Sequence, residues 1–255
     1  MKNKFTILGC GSSLGAPWIT NYNGNLKKTK KNTRTRCCAH IKYGNLSILI
    51  DTSPDIKYQI LKNKIKTVDA IIYTHEHADQ TTGIFEMRPF YWANKKKIPV
   101  YGSKRTIKSL KKSHTYCFME RYGYKPIMKA NIIKKNFLLN KNKNKLQFKV
   151  IDVVHGKIKA NGFVFKKIAY ISDCNLIEKK SIKDLYGLNY LIIDCLKIDK
   201  HPSHFNLSDA INLINLVKPK KSILTNLHVD LDYEKLKKNL PKNIYPAFDG
   251  LSINF

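Results

Sequence analysis

At 255 residues, with 43% hydrophobic and 25% charged side chains, the chain has the apolar content of a folded protein and not of a disordered polyelectrolyte. Its 47 Lys and Arg against 18 Asp and Glu leave a formal charge of +29, which ordinarily points to nucleic acid or an anionic membrane. Only five of those cations are Arg (Arg34, Arg36, Arg88, Arg105, Arg121), and base and phosphate readers rely on the bidentate Arg fork, so the excess reads as a solvated Lys-rich surface that favours anionic substrates. The six cysteines form no CxxC pair, and a chain of this length needs no disulfide staples, so reduced thiols are expected. The first residues, MKNKFTILGCGSS, hold too short an apolar stretch for a signal peptide, and no run reaches the roughly 18 apolar residues of a membrane span. A soluble, cytoplasmic protein is expected.

In chain order, Phe5–Leu8 reads as a strand running into the turn Gly9-Cys10-Gly11-Ser12-Ser13, and residues 19–34 read as a polar loop. Ala39–Tyr43 and Leu46–Asp51 form a hairpin around Gly44-Asn45. Pro54–Asn63 has helical periodicity, Ala70–Thr74 is a strand, Gln80–Tyr91 begins a helix, and Ile98–Tyr101 is a short strand. Residues 104–130 mix helical spacing with an aromatic loop, Tyr122–Pro126. After a Lys/Asn loop at Asn140–Lys145 come strands at Leu146–Val154, Gly162–Phe165, Ile168–Ser172, Tyr190–Asp194 and Lys221–Thr225. Helices fit at Leu207–Val217 and Tyr233–Asn239, and Leu251–Phe255 is a last strand. Both halves run strands first and then helix and strand, which hints at a duplicated β-sandwich with outer helices, and no composition break divides the chain.

The stretch with most chemistry is Thr74-His75-Glu76-His77-Ala78-Asp79-Gln80, directly after a strand. Imidazoles two residues apart, followed by a carboxylate, can converge on a divalent metal in such a turn. An exposed polar turn would account for the stretch equally well. The rest of the chain favours the metal: six of the eight histidines lie at strand ends, His155, His201, His204 and His228 among them, leaving His40 and His114 outside the pattern. Asp173 ends another strand, so these groups share one rim.

With those residues in place, the chain resembles the metallo-β-lactamase-fold hydrolases, and most resembles the PhnP-type branch, the phosphoribosyl 1,2-cyclic phosphate phosphodiesterases. The resemblance runs through Gly9–Ser13, Leu49–Asp55, His75–Asp79, His155-Gly156, Tyr170–Asp173, His201–His204, Ile223–Thr225 and Phe248–Gly250. It implies an α+β fold, a four-layer αββα sandwich with a pseudo-duplicated core, as one domain over residues 1–255. It implies two divalent ions, Zn or Mn, one on His75, His77 and His155, the other on Asp79 and Asp173, with Asp173 shared. Asp51 would orient a histidine, His204 would protonate the leaving group, and Asp79 would hold the attacking water. By residue type Arg88 and Tyr122–Pro126 could contact substrate, and a core-edge role is the commoner explanation for both. Two positions depart from the pattern: Gln80 stands where a histidine is usual, and Asn226 where a second is, with His228 displaced by two. Gln80 and His228 are therefore candidate replacement ligands at a weakened second site. The implied reaction is hydrolysis of a small cyclic or nucleotide-like phosphate ester by a metal-activated water. The alternatives are a ribonuclease of the tRNA 3′-processing type and a binding protein with a decayed centre, and thioesters or lactones are further substrates. The expected partners are a small anionic phosphate ester and a second copy of the chain, with no membrane; nucleic acid is the less favoured partner.

Overall fold

The computed structural model of the chain describes residues 3–255. The first of its two sheets is formed by β1 (Lys4–Gly9), β2 (Cys38–Tyr43), β3 (Leu46–Ile50), β4 (Ala70–Ile72), β5 (Ile98–Gly102) and β6 (Met128–Ile132). The second follows with β7 (Asn136–Lys141), β8 (Asn144–His155), β9 (Ile158–Phe165), β10 (Ile168–Ile171), β11 (Leu176–Ile177), β12 (Tyr190–Asp194), β13 (Lys221–Thr225) and β14 (Ile244–Pro246); the last strand, β15 (Ser252–Asn254), returns to pair with β1. Along β1-β2-β3-β4-β5-β6 the pairings are antiparallel twice and then parallel three times. Along β8-β9-β10-β12-β13-β14 the same series recurs, so the two halves repeat one topology.

Alternation along the strands explains the layers. Ile48, Ile50 and Ile72 point into a core shared with Phe148, Phe163, Phe165, Tyr170, Ile192 and Ile223 of the other sheet, where the Phe5 ring lies 5.7 Å from both Phe165 and Tyr170. The intervening Leu49 and Ile71 face outward onto α1 (Ile56–Lys62), through Ile56 and Ile60, and onto Ile107 and Leu110 of α4, the helix at Lys104–Ser113. Leu191 and Ile193 likewise face α7 (Leu207–Val217), through Ala210, Leu213 and Ile214, and Leu236 of α8 (Tyr233–Asn239). Each large aliphatic side chain so buried contributes about 1.5–3 kcal/mol. The result is the layered helix–sheet–sheet–helix sandwich that the motifs imply. Among the described residues, no helix is long and apolar enough to cross a membrane.

Two expectations are corrected. The helix read over Gln80–Tyr91 is three pieces, α2 (Ala78–Thr81), a 3₁₀ stretch (Thr82–Met87) and α3 (Arg88–Asn94). Gly83 lies so close to the Ser53 carbonyl that a Cβ would sit 2.0 Å away, and Pro89 at the start of α3 cannot continue a helix from before it. Asn140–Lys145 is the tip of the β7–β8 hairpin, with Asn142 at φ 52° supplying its turn. Strands β6, β11 and β14 are short or sit at sheet edges, where periodicity is too brief to read. Two further helices are one turn each: α5 (Thr115–Phe118) and α6 (Lys179–Ile182).

The parallel strands carry the chemistry at their carboxyl ends, the usual place for ligands in such sheets. Asp51 follows β3 and His75 follows its neighbour β4; Asp173, Asp194 and Asn226 end or follow the neighbours β10, β12 and β13. His155 ends β8. Away from this rim, His40 of β2 is buried, its Nε2 2.8 Å from Ser47 Oγ, and burial lowers its pKa to about 3, with Lys42 and Lys4 adding to the effect. Because the folded pKa is depressed, the unfolded chain takes up this proton first, and the stability His40 provides is lost as pH falls from about 6.5 toward 3. Chemical denaturation at pH 7 and pH 5 should show His40→Gln losing up to about 1.4 kcal/mol less than wild type per pH unit; equal losses would contradict a neutral buried His40.

Candidate metal centre

Three imidazoles, two from the turn after β4 and one from the end of β8, meet at one point. The ring centroids of His75 and His77 lie 4.5 Å apart, those of His75 and His155 5.0 Å, and those of His77 and His155 4.9 Å. His75 and His155 are buried, and His77 stands toward solvent. Each buried ring is oriented by its other nitrogen. His155 Nδ1 donates to the Ser203 carbonyl at 2.7 Å, which leaves Nε2 unprotonated. His75 Nδ1 lies 3.0 Å from Thr74 Oγ1, which in turn is 2.9 Å from Asp51 Oδ2; Thr74 N donates to Asp51 Oδ1 at 2.8 Å. Asp51 therefore orients His75 through Thr74 and not directly. It adopts φ 64°, a left-handed conformation that Asp tolerates at the strand end, and this aims its carboxylate back at Thr74.

This geometry brings ring nitrogens close together. His155 Nε2 and His77 Nδ1 are 3.2 Å apart, and the buried His75 Nε2 has no hydrogen-bond partner. Burial holds His75 at about 3 and also lowers His155, so both rings stay neutral. Neutral imidazole nitrogens converging around an orphaned acceptor fit a divalent ion of the Zn, Mn or Fe type.

Beside the trio lies a carboxylate group. Asp173 is pushed up by burial, but His75, His204 and His155 outweigh that and its pKa is lowered. Asp79 rises to about 6, from burial and then Asp173. His204 Nδ1 is 2.7 Å from Asp194 Oδ2, which also accepts Cys174 N–H at 2.9 Å. Burial alone would lower His204 and raises Asp194 to about 7, yet the attraction of Asp194, Asp173 and Asp79 lifts His204 to about 9, so the shared proton rests on the imidazole. The turn carrying His204 is fixed by the start of α7, where the Asn206 side chain accepts from Asp209 N at 2.8 Å and the Asp209 carboxylate accepts from Asn206 N.

These groups open into a cleft of about 340 Å³, lined by His77, Asp79, His155, Asp173 and His204 together with Ser12 and Ser13 of the Gly-rich turn. Other predicted residues are placed differently. Gln80 offers its NH₂ and not its oxygen, to Asp79 Oδ2 at 3.3 Å and Asp173 Oδ2 at 3.4 Å. His228 reaches the cleft rim, but its Nδ1 is 2.7 Å from Asp230 Oδ2 and its ring lies edge-on to Trp18, away from the ligand clusters. Arg88 does not line the cleft; its guanidinium lies over Tyr124, and that aromatic loop stands outside too. His201, Ser203 and Lys197 line the cleft without having been singled out for roles, and Asp194 was read only as a strand end. Its place beside Asp173, one strand over, was a signal that sheet order alone makes visible.

This site on this fold defines a metallo-β-lactamase-fold hydrolase. The Beta-lactamase superfamily domain matches residues 47–226, and the chain belongs to that superfamily. The chain is similar to the crystal structure of a diphosphatase from the PhnP family, with 29% identity, a TM-score of 0.90 and coverage of 100% of this chain and 98% of that one. It shares the fold of the short form of human tRNase Z, at 17% identity and a TM-score of 0.70, with 98% of each chain covered. It is also 29% identical, over 96% of its length, to an octanoyltransferase of Porphyromonas gingivalis, and it spans half the length of that relative.

Asp51→Asn preserves the left-handed turn but removes the charge that polarises Thr74. By placing an NH₂ where one of the two oxygens accepts from Thr74, it should weaken metal binding about 10- to 100-fold in competition with a chromophoric chelator, with an unchanged circular dichroism spectrum. Undiminished affinity would show that the Asp51–Thr74–His75 chain does not serve the ion.

Proposed function

We propose that the chain, as one domain over residues 1–255, hydrolyses a small anionic phosphate diester of cyclic or nucleotide-like type. The observation that carries this reading is His204, its Nδ1 2.7 Å from Asp194 Oδ2, on the wall of a cleft that His77 and His155 of the trio also line. His75, His77 and His155 would hold the ion, with Asp173 beside them; when bound, a divalent ion supplies Lewis acidity and an activated water near neutral pH. Zn or Mn suits this mixed imidazole and carboxylate set.

The remaining steps belong to side chains. Asp79, raised to about 6, stands beside the trio to accept a proton from the attacking water. His204 carries the proton that the departing alkoxide needs, and Asp194 holds the ring with its Nε2 free. Ser12, Ser13, Lys197 and His201 supply donors and positive charge along the cleft, matched to phosphoryl oxygens. The cleft suits a small ester better than a folded RNA. The similarity to a PhnP-family diphosphatase over the full chain supports phosphoryl chemistry. The octanoyltransferase name belongs to a protein twice as long as the match, and acyl transfer through a thiol finds no nucleophile here: all six cysteines are buried, burial raises the pKa of each, and none lines the cleft.

His204→Asn should lower hydrolysis of a cyclic alkyl phosphodiester about 10²- to 10⁴-fold while sparing bis(p-nitrophenyl) phosphate, whose leaving group needs no proton. Equal losses on both substrates would remove the acid role. A screen of cyclic phosphates, dinucleotides, diphosphates and structured RNA under Zn and Mn tests the substrate class, and cleavage of RNA alone would favour a nuclease.

A further inference from the structure

The resemblance implies two ions, and the donors around Asp173 argue for one. We propose that the chain binds a single ion on the histidine trio, and that the side-chain amides of Gln80 and Asn226 occupy the second position, tying Asp79, Asp173 and Asp194 together by hydrogen bonds.

Both amides are buried, and both turn N–H groups toward carboxylates. Gln80 Nε2 reaches Asp79 Oδ2 and Asp173 Oδ2 at 3.3 and 3.4 Å. Asn226 Nδ2 reaches Asp173 Oδ1 and Asp194 Oδ1 at 3.3 and 3.2 Å. Asn226 is also 3.1 Å from His204 Nδ1, but that nitrogen donates to Asp194 and cannot accept, so the two amide protons go to the two carboxylates. With Asp194 Oδ2 taken by His204 and Cys174 N, five of the six oxygens of Asp79, Asp173 and Asp194 already face N–H donors. A cation there would meet amide protons. Turning either amide over would set its oxygen against two carboxylates, and the unpartnered Gln80 Oε1 shows which end those carboxylates select.

The ligand geometry agrees. The groups able to hold an ion are His75–His77–His155 and His155–Asp173–His204. They share His155, whose Nδ1 is committed to the Ser203 carbonyl, so its one free nitrogen serves either group and not both. Asn226 lies at φ 62°, a conformation that Asn and His both tolerate, so the position can be changed without backbone strain. Gln80 and Asn226 are thus positioning residues that hold Asp173 and Asp194 with neutral hydrogen bonds where a second ion would otherwise hold them.

This inference rests on the metal-dependent reading above, and metal counting separates the two. Purified protein saturated with Zn and desalted, then measured by native mass spectrometry and elemental analysis, should carry one ion per chain. Co-loaded protein should give an electron paramagnetic resonance spectrum free of metal–metal coupling. The double variant Gln80→His/Asn226→His should carry two ions and show coupling. Two ions in the wild type would overturn the proposal, and so would a folded double variant that still binds one. No bound ion in the wild type would overturn the metal centre itself, a different failure from a wrong count. If the double variant does not fold, the wild-type count and its spectrum still decide.

Discussion

Imidazoles that turn unprotonated nitrogens toward one point repel one another unless something positive lies between them. In this chain burial keeps His75 and His155 neutral, and hydrogen bonds to Thr74 and Ser203 fix which nitrogen of each faces inward. Those bonds come from opposite halves of the molecule: Thr74 follows β4 of one sheet, and Ser203 precedes α7 on the other. The two sheets must therefore meet in a fixed register for the cluster to exist. The apolar interface through Phe5, Phe165 and Tyr170 supplies that register.

The carboxylates solve a different problem. Asp173 and Asp194 are almost wholly buried, and buried charge is tolerated only with partners. The histidine trio lies on one side of Asp173. Asp173 accepts from the Gln80 and Asn226 amides, and Asp194 from Asn226, His204 and the Cys174 N–H. In the single-ion arrangement proposed above, one proton stays on His204 at the cleft, where a second metal would supply charge without a proton to give. The proposed leaving-group protonation and the amide clamp would thus arise from the same arrangement.

Much of this was legible in the primary structure because it sits in short local motifs. His75, His77 and Asp79 lie within five residues after an apolar strand, and the bounds read for β12, β13, α7 and α8 match those observed. What was not legible depends on sheet order. Asp194 acquires meaning only when β12 lies between β10 and β13, which puts it beside Asp173, Asn226 and His204. The departures at Gln80 and Asn226 were visible as residue types, but which end of each amide faces the carboxylates is a three-dimensional fact. Arg88 and the Tyr122–Pro126 loop have residue types suited to a substrate, and α3 and its neighbours carry them outside the cleft. The charge of +29 contributes no ligand to the centre, since its carriers are mostly surface lysines, with Lys197 an exception on the cleft wall.

Zinc K-edge X-ray absorption on the loaded protein tests most directly whether the imidazole trio holds the ion. The arrangement predicts a nearest shell of nitrogen and oxygen at about 2.0–2.1 Å, with the outer-shell pattern of several imidazoles. A sulfur shell at about 2.3 Å, or a spectrum without imidazole scattering, would contradict it.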